Sequence, residues 1–208
     1  IGTFSFDFAK TITTVEGGML IFKKKEFYEK ACAWHDHGHE NNPRVPRWED
    51  TRSSSGFNFR MTELQGAIGV AQLKKLDLII KKQRENKNLI WKQLKRLNGV
   101  EKREVPSGTY DTADALIFFV KDFDTAKRCR EELLKIKVST KILPEAYTWH
   151  FAETWIHMPE LLESHDGDLN SAFPKSRNLL KKCVSIPIFY NMEKTMPEKI
   201  KLLLENVV

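Results

Sequence analysis

The chain has 208 residues, of which 41% are hydrophobic and 30% charged, with a formal net charge of +6 and a pI near 9.1. It is too apolar for a disordered chain and long enough for one large domain or two small ones. Membrane and nucleic-acid classes are disfavoured. No apolar run approaches the roughly 18 residues that cross a bilayer, no signal-peptide pattern is present, and the lysines mix with acids along helical surfaces such as "LKKLDLIIKKQRENKNLIWKQLKR". A cytoplasmic protein that binds neither nucleic acid nor membrane is expected, with a basic excess that suits anionic substrates. Cys32, Cys129 and Cys183 are widely spaced without a CxxC pair, which points to packed thiols rather than a disulfide framework or a zinc site.

In chain order, residues 3–6 alternate as a strand with nothing before them to pair with, and the chain opens Ile1-Gly2 without methionine. The sequence is therefore expected to be the back part of a longer protein. "GGMLIF" (17–22) is a short apolar strand, and "KKEFYEKACAWHDHG" (24–38) a helix stopped by glycine. Strand followed by helix implies α/β. "HENNPRVPRWEDTRSSSG" (39–56) is a long polar loop with two prolines, of the kind that is usually functional. Thr62 and Gln65 form a capping box, and Leu64, Ile68, Ala71, Leu76, Ile79 and Ile80 continue from it as one long amphipathic helix, bent near Lys81.

Beyond Gly99, "DALIFFVK" (114–121) reads as a buried strand, "DTAKRCREELLKI" (124–136) as a helix capped by Asp124, and "VSTKIL" (138–143) as another strand. "SAFPKSRNLLKKC" is a helix, "VSIPIF" a strand, and "MPEKIKLLLENVV" a helix with proline in its first turn. This predicts a unit over 1–98 and a small α/β domain over 99–208.

Three stretches carry chemical potential. In "FSFDFAKTITTVEGGM" (4–19), Lys10 follows an apolar strand, so part of its stem is expected to be desolvated, which favours an amine able to form a Schiff base. Ser5, Thr11, Thr13 and Thr14 add hydroxyls, and Gly17-Gly18 allow close backbone approach to a phosphate or ring. A surface lysine beside a threonine-rich turn is the plainer reading of the same residues. In "HDHGH", His35 and His39 are four apart, but Gly38 breaks the helix between them and no third ligand follows, so no metal is expected. "WHFAETWIHM" (149–158) places His150 and His157 in an aromatic-rich loop, suited to lining a substrate pocket or to local packing. The GxGxxG and P-loop patterns are absent.

The lysine stretch closely resembles the motif of the DegT/DnrJ/EryC1/StrS family of pyridoxal-phosphate sugar aminotransferases, which reads F-S-F, the lysine, then S/T-T-G-E-G-G-M. "GFNFRMTELQGAIGVAQLKKLDLIIKKQRE" (56–85) resembles the family's G-x-N-x-R-M-T-E-x-Q-A-A-I-G block, and "SIPIFYNMEKTMPEKI" (185–200) its final strand and helix. The resemblance implies an α/β chain corresponding to the C-terminal portion of the fold type I pyridoxal-phosphate transferases: the end of the large domain, residues 1–98, and the small domain, residues 99–208. It implies that Lys10 holds the cofactor covalently and, once freed, shuttles a proton. It makes Ser5 a ligand of the cofactor phosphate, and Asn58 a ligand of the phosphate in the neighbouring subunit of a homodimer with shared sites. Asn58 also stands just before a helix N-terminus, where anions are favoured, and Arg60 is a second candidate there.

The implied reaction moves an amino group from glutamate to a nucleotide-linked keto-sugar. The alternatives are amination of a nucleotide-free eight-carbon octulosonate, which "FDFAKT" and "HDHGHENNP" resemble more closely, or a non-catalytic relative keeping only the dimer surface. A dehydratase sub-branch carries histidine in place of the lysine, and Lys10 argues against it. Val15 stands where the family has glycine. The family's front-half elements, which grip the phosphate, stack on the ring and pair with the pyridine nitrogen, lie outside this sequence, so these residues alone are expected to be inactive.

Overall fold

Residues 1–138 and 151–208 are described by the computed structural model of the chain, which is mixed helix and sheet, an α/β protein. Beyond Val138, the strand expected over 138–143 lies outside the described residues, as does His150. Two compact units emerge, Ile1–Asp77 and Leu78–Val208.

In the first unit the opening strand does find a partner. β1 (Gly2–Ser5) pairs antiparallel with β2 (Gly18–Ile21), from Gly2 opposite Ile21 to Ser5 opposite Gly18. This two-stranded ribbon leaves Phe4, Leu20 and Ile21 about half exposed, at 50%, 53% and 49%. Helix α1 (Lys25–His35) follows, with Lys25–Glu29 and Glu26–Lys30 ion pairs one turn apart on its exposed face. It stops where Gly38 turns left-handed at φ 84° and returns its N–H to the Ala33 carbonyl at 2.7 Å. Glycine is required there because a Cβ would lie 1.8 Å from the Ser54 carbonyl oxygen, where the following loop folds back. That loop holds a short 3-10 turn (Arg47–Glu49) and is closed by bridges between Asp36 and Asn58 and between His39 and Arg52.

The capping box forms as the sequence predicts. The Gln65 N–H donates to Thr62 Oγ1 at 3.3 Å, the Thr62 N–H donates to Gln65 Oε1 at 2.9 Å, and α2 (Glu63–Leu73) begins. The expected single long helix is instead two. α2 ends at Lys74–Lys75, where the Lys75 N–H tightens onto the Gln72 carbonyl at 2.9 Å, and α3 (Leu76–Leu94) starts afresh. The interruption lies ahead of Lys81.

The second unit is built on α3, whose Ile79, Ile80, Gln83, Lys87, Ile90 and Leu94 recur at helical spacing and are buried. Its sheet has the order β3 (Glu101–Lys102), β4 (Ala115–Phe119), β5 (Cys183–Pro187), each pair antiparallel. Leu116 and Phe118 alternate inward from β4 and are fully buried against Val184 and Ile186 of β5, Ala126, Cys129 and Leu133 of α4 (Phe123–Lys135), and Ile200 and Leu204 at the chain end. The α4 cap is Asp122 rather than Asp124: its carboxylate accepts the Thr125 N–H at 2.8 Å, which leaves Asp124 inside the first turn. Helices α5 (Pro159–Glu163), α6 (Pro174–Lys181) and α7 (Met196–Leu204) complete the unit, each opened by a proline in its first turn. Polar side chains of α3 tie down its surroundings: Gln83 donates to the Ile188 carbonyl at 2.8 Å, and Lys87 meets Asp111 at 2.5 Å. Among the described residues no helix is long and apolar enough to cross a membrane.

Candidate active site

Between β1 and β2, residues 6–17 form a turn that holds itself together. The Phe6 N–H donates to the Gly17 carbonyl at 2.9 Å, and the Phe6 carbonyl accepts both the Thr14 N–H and the Thr13 hydroxyl at 3.0 Å. Buried Thr14 donates its hydroxyl to the Glu16 carbonyl at 2.7 Å. Thr13 and Thr14 thus spend their hydroxyl protons building the turn and do not offer them to a ligand. Val15, in place of the family glycine, sits at φ 74°, left-handed backbone that a β-branched residue adopts only under strain.

Lys10 lies on this turn, its N–H bonded to the Asp7 carbonyl at 3.0 Å. Ser5 Oγ accepts the Asp7 N–H at 3.4 Å, so Ser5 and Lys10 are joined through Asp7, and the Ser5 hydroxyl proton remains available. The expected desolvation of Lys10 is not found. The residue is exposed, because its apolar neighbours Phe4 and Phe8 are themselves 50% and 74% exposed, and its amine has no hydrogen-bond or ion-pair partner among the described residues.

Asn58 and Arg60 stand at the other end of the first unit's polar loop. The extended backbone of this block is stitched to the end of α1, with the Phe57 N–H donating to the Trp34 carbonyl at 2.8 Å and the Phe59 N–H to the His35 carbonyl at 2.9 Å. Asn58 Oδ1 accepts from Arg60 Nε at 3.0 Å, while its Nδ2 makes no hydrogen bond among the described residues. Trp34, Phe57 and Phe59 form an aromatic cluster beside it, with centroids 5.0 to 6.4 Å apart. Each of the three is roughly half exposed.

Two links join the lysine turn to the asparagine block. Gln65, in the first turn of α2, donates from Nε2 to the Glu16 carbonyl at 2.9 Å. A Cβ on Gly17 would lie 3.0 Å from the Met61 methyl, so the glycine at φ 143° lets the block sit directly on the turn. The structure brings the two blocks together but does not bring the Asn58 side chain to Lys10: its hydrogen bonds go to Arg60.

The loop between the blocks is more structured than its composition implies. Asp50 accepts the N–H groups of Asn41 and Asn42 at 2.9 and 3.2 Å and faces His39 Nδ1 at 3.2 Å. Burial works against ionisation of Asp50, but these donors outweigh it and hold its carboxyl below the usual carboxylate range. Arg47 bonds Asp36 at 2.7 Å and Asn41 at 2.8 Å. That hydrogen bond, against burial, keeps the Asp36 carboxyl low, with the charges of Arg47 and Arg60 adding to it. No local sequence pattern marks Asp36, which stands between His35 and His39, the pair spaced like metal ligands. Those histidines are otherwise occupied: His35 Nδ1 lies 3.1 Å from the Cys32 carbonyl and His39 faces Asp50. Among the described residues no group of three or more His, Cys, Asp or Glu is arranged to hold a metal. His157 is exposed in the second unit, between a short 3-10 turn (Ala152–Thr154) and α5.

The primary amine of Lys10 and the free hydroxyl proton of Ser5, joined through Asp7, fit a ligand that combines an aldehyde with an anionic group, which is the chemistry of pyridoxal phosphate. Comparison of the fold gives the class. *Helicobacter pylori* PseC, an aminotransferase involved in the biosynthesis of pseudoaminic acid, superposes with a TM-score of 0.76 at 20% identity, covering 99% of this chain and 52% of that one. *E. coli* GDP-4-keto-6-deoxy-D-mannose-3-dehydratase with bound hydrated PLP gives 0.73 at 21% identity, covering 100% and 54%. The fold is that of the pyridoxal-phosphate-dependent sugar aminotransferases.

Residues 1–204 match the DegT/DnrJ/EryC1/StrS aminotransferase family, and the chain belongs to it. The family depends on pyridoxal phosphate. Among curated relatives, GDP-perosamine synthase of *Escherichia coli* O157:H7 is 37% identical over 102 residues, 49% of this chain and 27% of that protein. The UDP-4-amino-4,6-dideoxy-N-acetyl-beta-L-altrosamine transaminase of *Helicobacter pylori* is 38% identical over 82 residues, 39% and 21%. The chain thus matches about a quarter of the length of these relatives and about half of the solved structures.

Proposed function

We propose that the native protein is a pyridoxal-phosphate-dependent aminotransferase that moves an amino group from glutamate to a nucleotide-linked keto-sugar. The observation that carries this reading is the docking of the lysine turn onto the capped helix behind Asn58, through Gln65 and Gly17. When bound, the cofactor supplies the electron sink that lets an amino group leave one carbon and join another. Lys10 anchors the cofactor and, when free, carries the proton between donor and acceptor positions. Ser5 donates its hydroxyl proton to the cofactor phosphate. Asn58 offers its Nδ2 donors to the phosphate of the neighbouring subunit in a homodimer, with Arg60 beside it.

In this reading residues 1–98 end the cofactor-binding domain and residues 99–208 form the small domain, and His150 and His157 remain candidate substrate ligands. The GDP- and UDP-linked relatives favour a nucleotide-linked acceptor over the octulosonate. One curated relative at 33% identity is a GDP-4-keto-6-deoxy-D-mannose 3-dehydratase, and Lys10 separates this chain from that chemistry.

The test is an assay of the native protein with glutamate and GDP- or UDP-linked 4-keto-6-deoxysugars, following 2-oxoglutarate and amino-sugar formation. Amination of a nucleotide-linked substrate supports the reading. Amination of the octulosonate alone, 3-deoxygenation without amination, or no turnover with cofactor bound would each overturn it.

A further inference from the structure

Asp36, the acid inside "HDHGH", is 5% exposed and sits where the polar loop and the asparagine block meet. It accepts from Arg47 Nη2 at 2.7 Å, lies 3.5 Å from Arg60 Nε, and bridges to Asn58 through the backbone. Arg60 Nε is at the same time 3.0 Å from Asn58 Oδ1, and the Arg60 N–H is 3.4 Å from that oxygen.

The chemistry of a carboxamide makes this chain directional. One end of the group only accepts and the other only donates. With guanidinium N–H against it, only the oxygen of Asn58 can face Arg60; the flipped amide would oppose N–H to N–H. The Nδ2 end is then the end left for a ligand, and it presents donors alone.

Resting on the reading of Asn58 as a phosphate-facing residue, we propose that Asp36 is the positioning residue of that contact: by holding Arg60 it locks the Asn58 carboxamide with its donors outward. Arg60 in this arrangement serves Asn58 rather than the anion. Without Asp36 the guanidinium loses its buried counter-charge and Oδ1 loses the firmer of its two donors, so that only the Arg60 backbone N–H at 3.4 Å opposes the flipped amide and the outward orientation is held more weakly.

The test compares binding of pyridoxal phosphate and of pyridoxal to the native apoprotein. Both ligands form the same bond to Lys10 and only one carries a phosphate; the hemiacetal that free pyridoxal forms in water is the same for every variant and cancels, so the change in the ratio of their dissociation constants isolates the phosphate contact from general damage to the fold. Asn58→Ala is expected to lower the phosphate preference by about 10-fold or more, the loss of one hydrogen bond to a charged group. Asp36→Asn should lower it by about 3- to 10-fold, a fraction of that loss. Arg60→Met should do the same while leaving the Asp36–Arg47 bond in place, and it decides the matter if Asp36→Asn fails to fold. The double variant Asp36→Asn/Asn58→Ala should be no worse than Asn58→Ala alone. If Asn58→Ala lowers the preference while Asp36→Asn and Arg60→Met leave it unchanged, or if the double variant is multiplicatively worse, the positioning role is wrong. If Asn58→Ala itself leaves the preference unchanged, the phosphate reading of Asn58 falls, and the inference falls with it.

Discussion

Gln65 performs two tasks that substitution can separate. Its Oε1 accepts the Thr62 N–H at 2.9 Å to close the capping box, and its Nε2 donates at 2.9 Å to the Glu16 carbonyl in the lysine turn. Gln65→Ala removes both, together with the bond that the Thr62 hydroxyl donates to Oε1 at 2.9 Å, an exposed contact that water replaces and that adds little to the loss. At about 0.5–1.5 kcal/mol each, the expected loss of stability is about 1–3 kcal/mol, toward the lower end because water reaches the half-exposed side chain. Gln65→Glu keeps an acceptor for the Thr62 N–H, so the cap survives, but places a carboxylate against the Glu16 carbonyl and breaks the tether. Urea unfolding of the native protein should therefore rank wild type above Gln65→Glu above Gln65→Ala. The rate at which bound cofactor exchanges into solution should rise in both variants, because both free the turn that carries Lys10. If Gln65→Glu matches wild type in midpoint and in cofactor exchange, the tether does not hold the lysine turn and the argument from docking is wrong.

Other predictions follow from the same geometry. Val15→Gly relieves a left-handed backbone that costs a β-branched residue about 1–2 kcal/mol and returns about 0.5–1 kcal/mol of that as glycine entropy, so a small net gain in thermal midpoint is expected by calorimetry. Asp36, held low by the Arg47 hydrogen bond, and Asp111, held low against burial by the Lys87 hydrogen bond, have folded pKa values below their unfolded ones. Their contribution is complete above the unfolded carboxylate value near pH 4 and fades as pH falls through the lower folded values. Urea midpoints should drop below about pH 4, and the Asp36→Asn/Asp111→Asn variant should show a shallower drop. Burial pushes the Cys129 thiol up to about 12 and the Cys183 thiol up to about 11, so iodoacetamide at pH 8 should label half-buried Cys32 in the native protein well before either, by peptide mass analysis.

The parts of the site that were legible in the sequence are those made by local chemistry. The Thr62–Gln65 box, the stop at Gly38 and the strand within "DALIFFVK" depend on neighbours within a few residues, and each forms as read. The family resemblance located the lysine turn and the asparagine block. What the sequence did not disclose depends on distant contacts or on near-equal local choices. Asp122 and Asp124 are both competent caps, and only the extended backbone at φ −153° selects Asp122. The break at Lys74–Lys75 is hidden because apolar spacing continues across it from Ile68 to Ile80. The Asp36–Arg60–Asn58 chain joins residues more than twenty positions apart, and no local pattern announces it.

The central claim is that Lys10 is the cofactor-bearing amine, and one measurement tests it most directly. The native protein is incubated with pyridoxal phosphate, reduced with borohydride, digested, and its labelled peptides are sequenced by mass spectrometry. The account predicts a single pyridoxyl group on the peptide carrying Lys10, absent from a Lys10→Ala variant that melts at an unchanged temperature and shows no turnover. A label on another lysine, or a Lys10→Ala variant that still transfers amino groups, would contradict it.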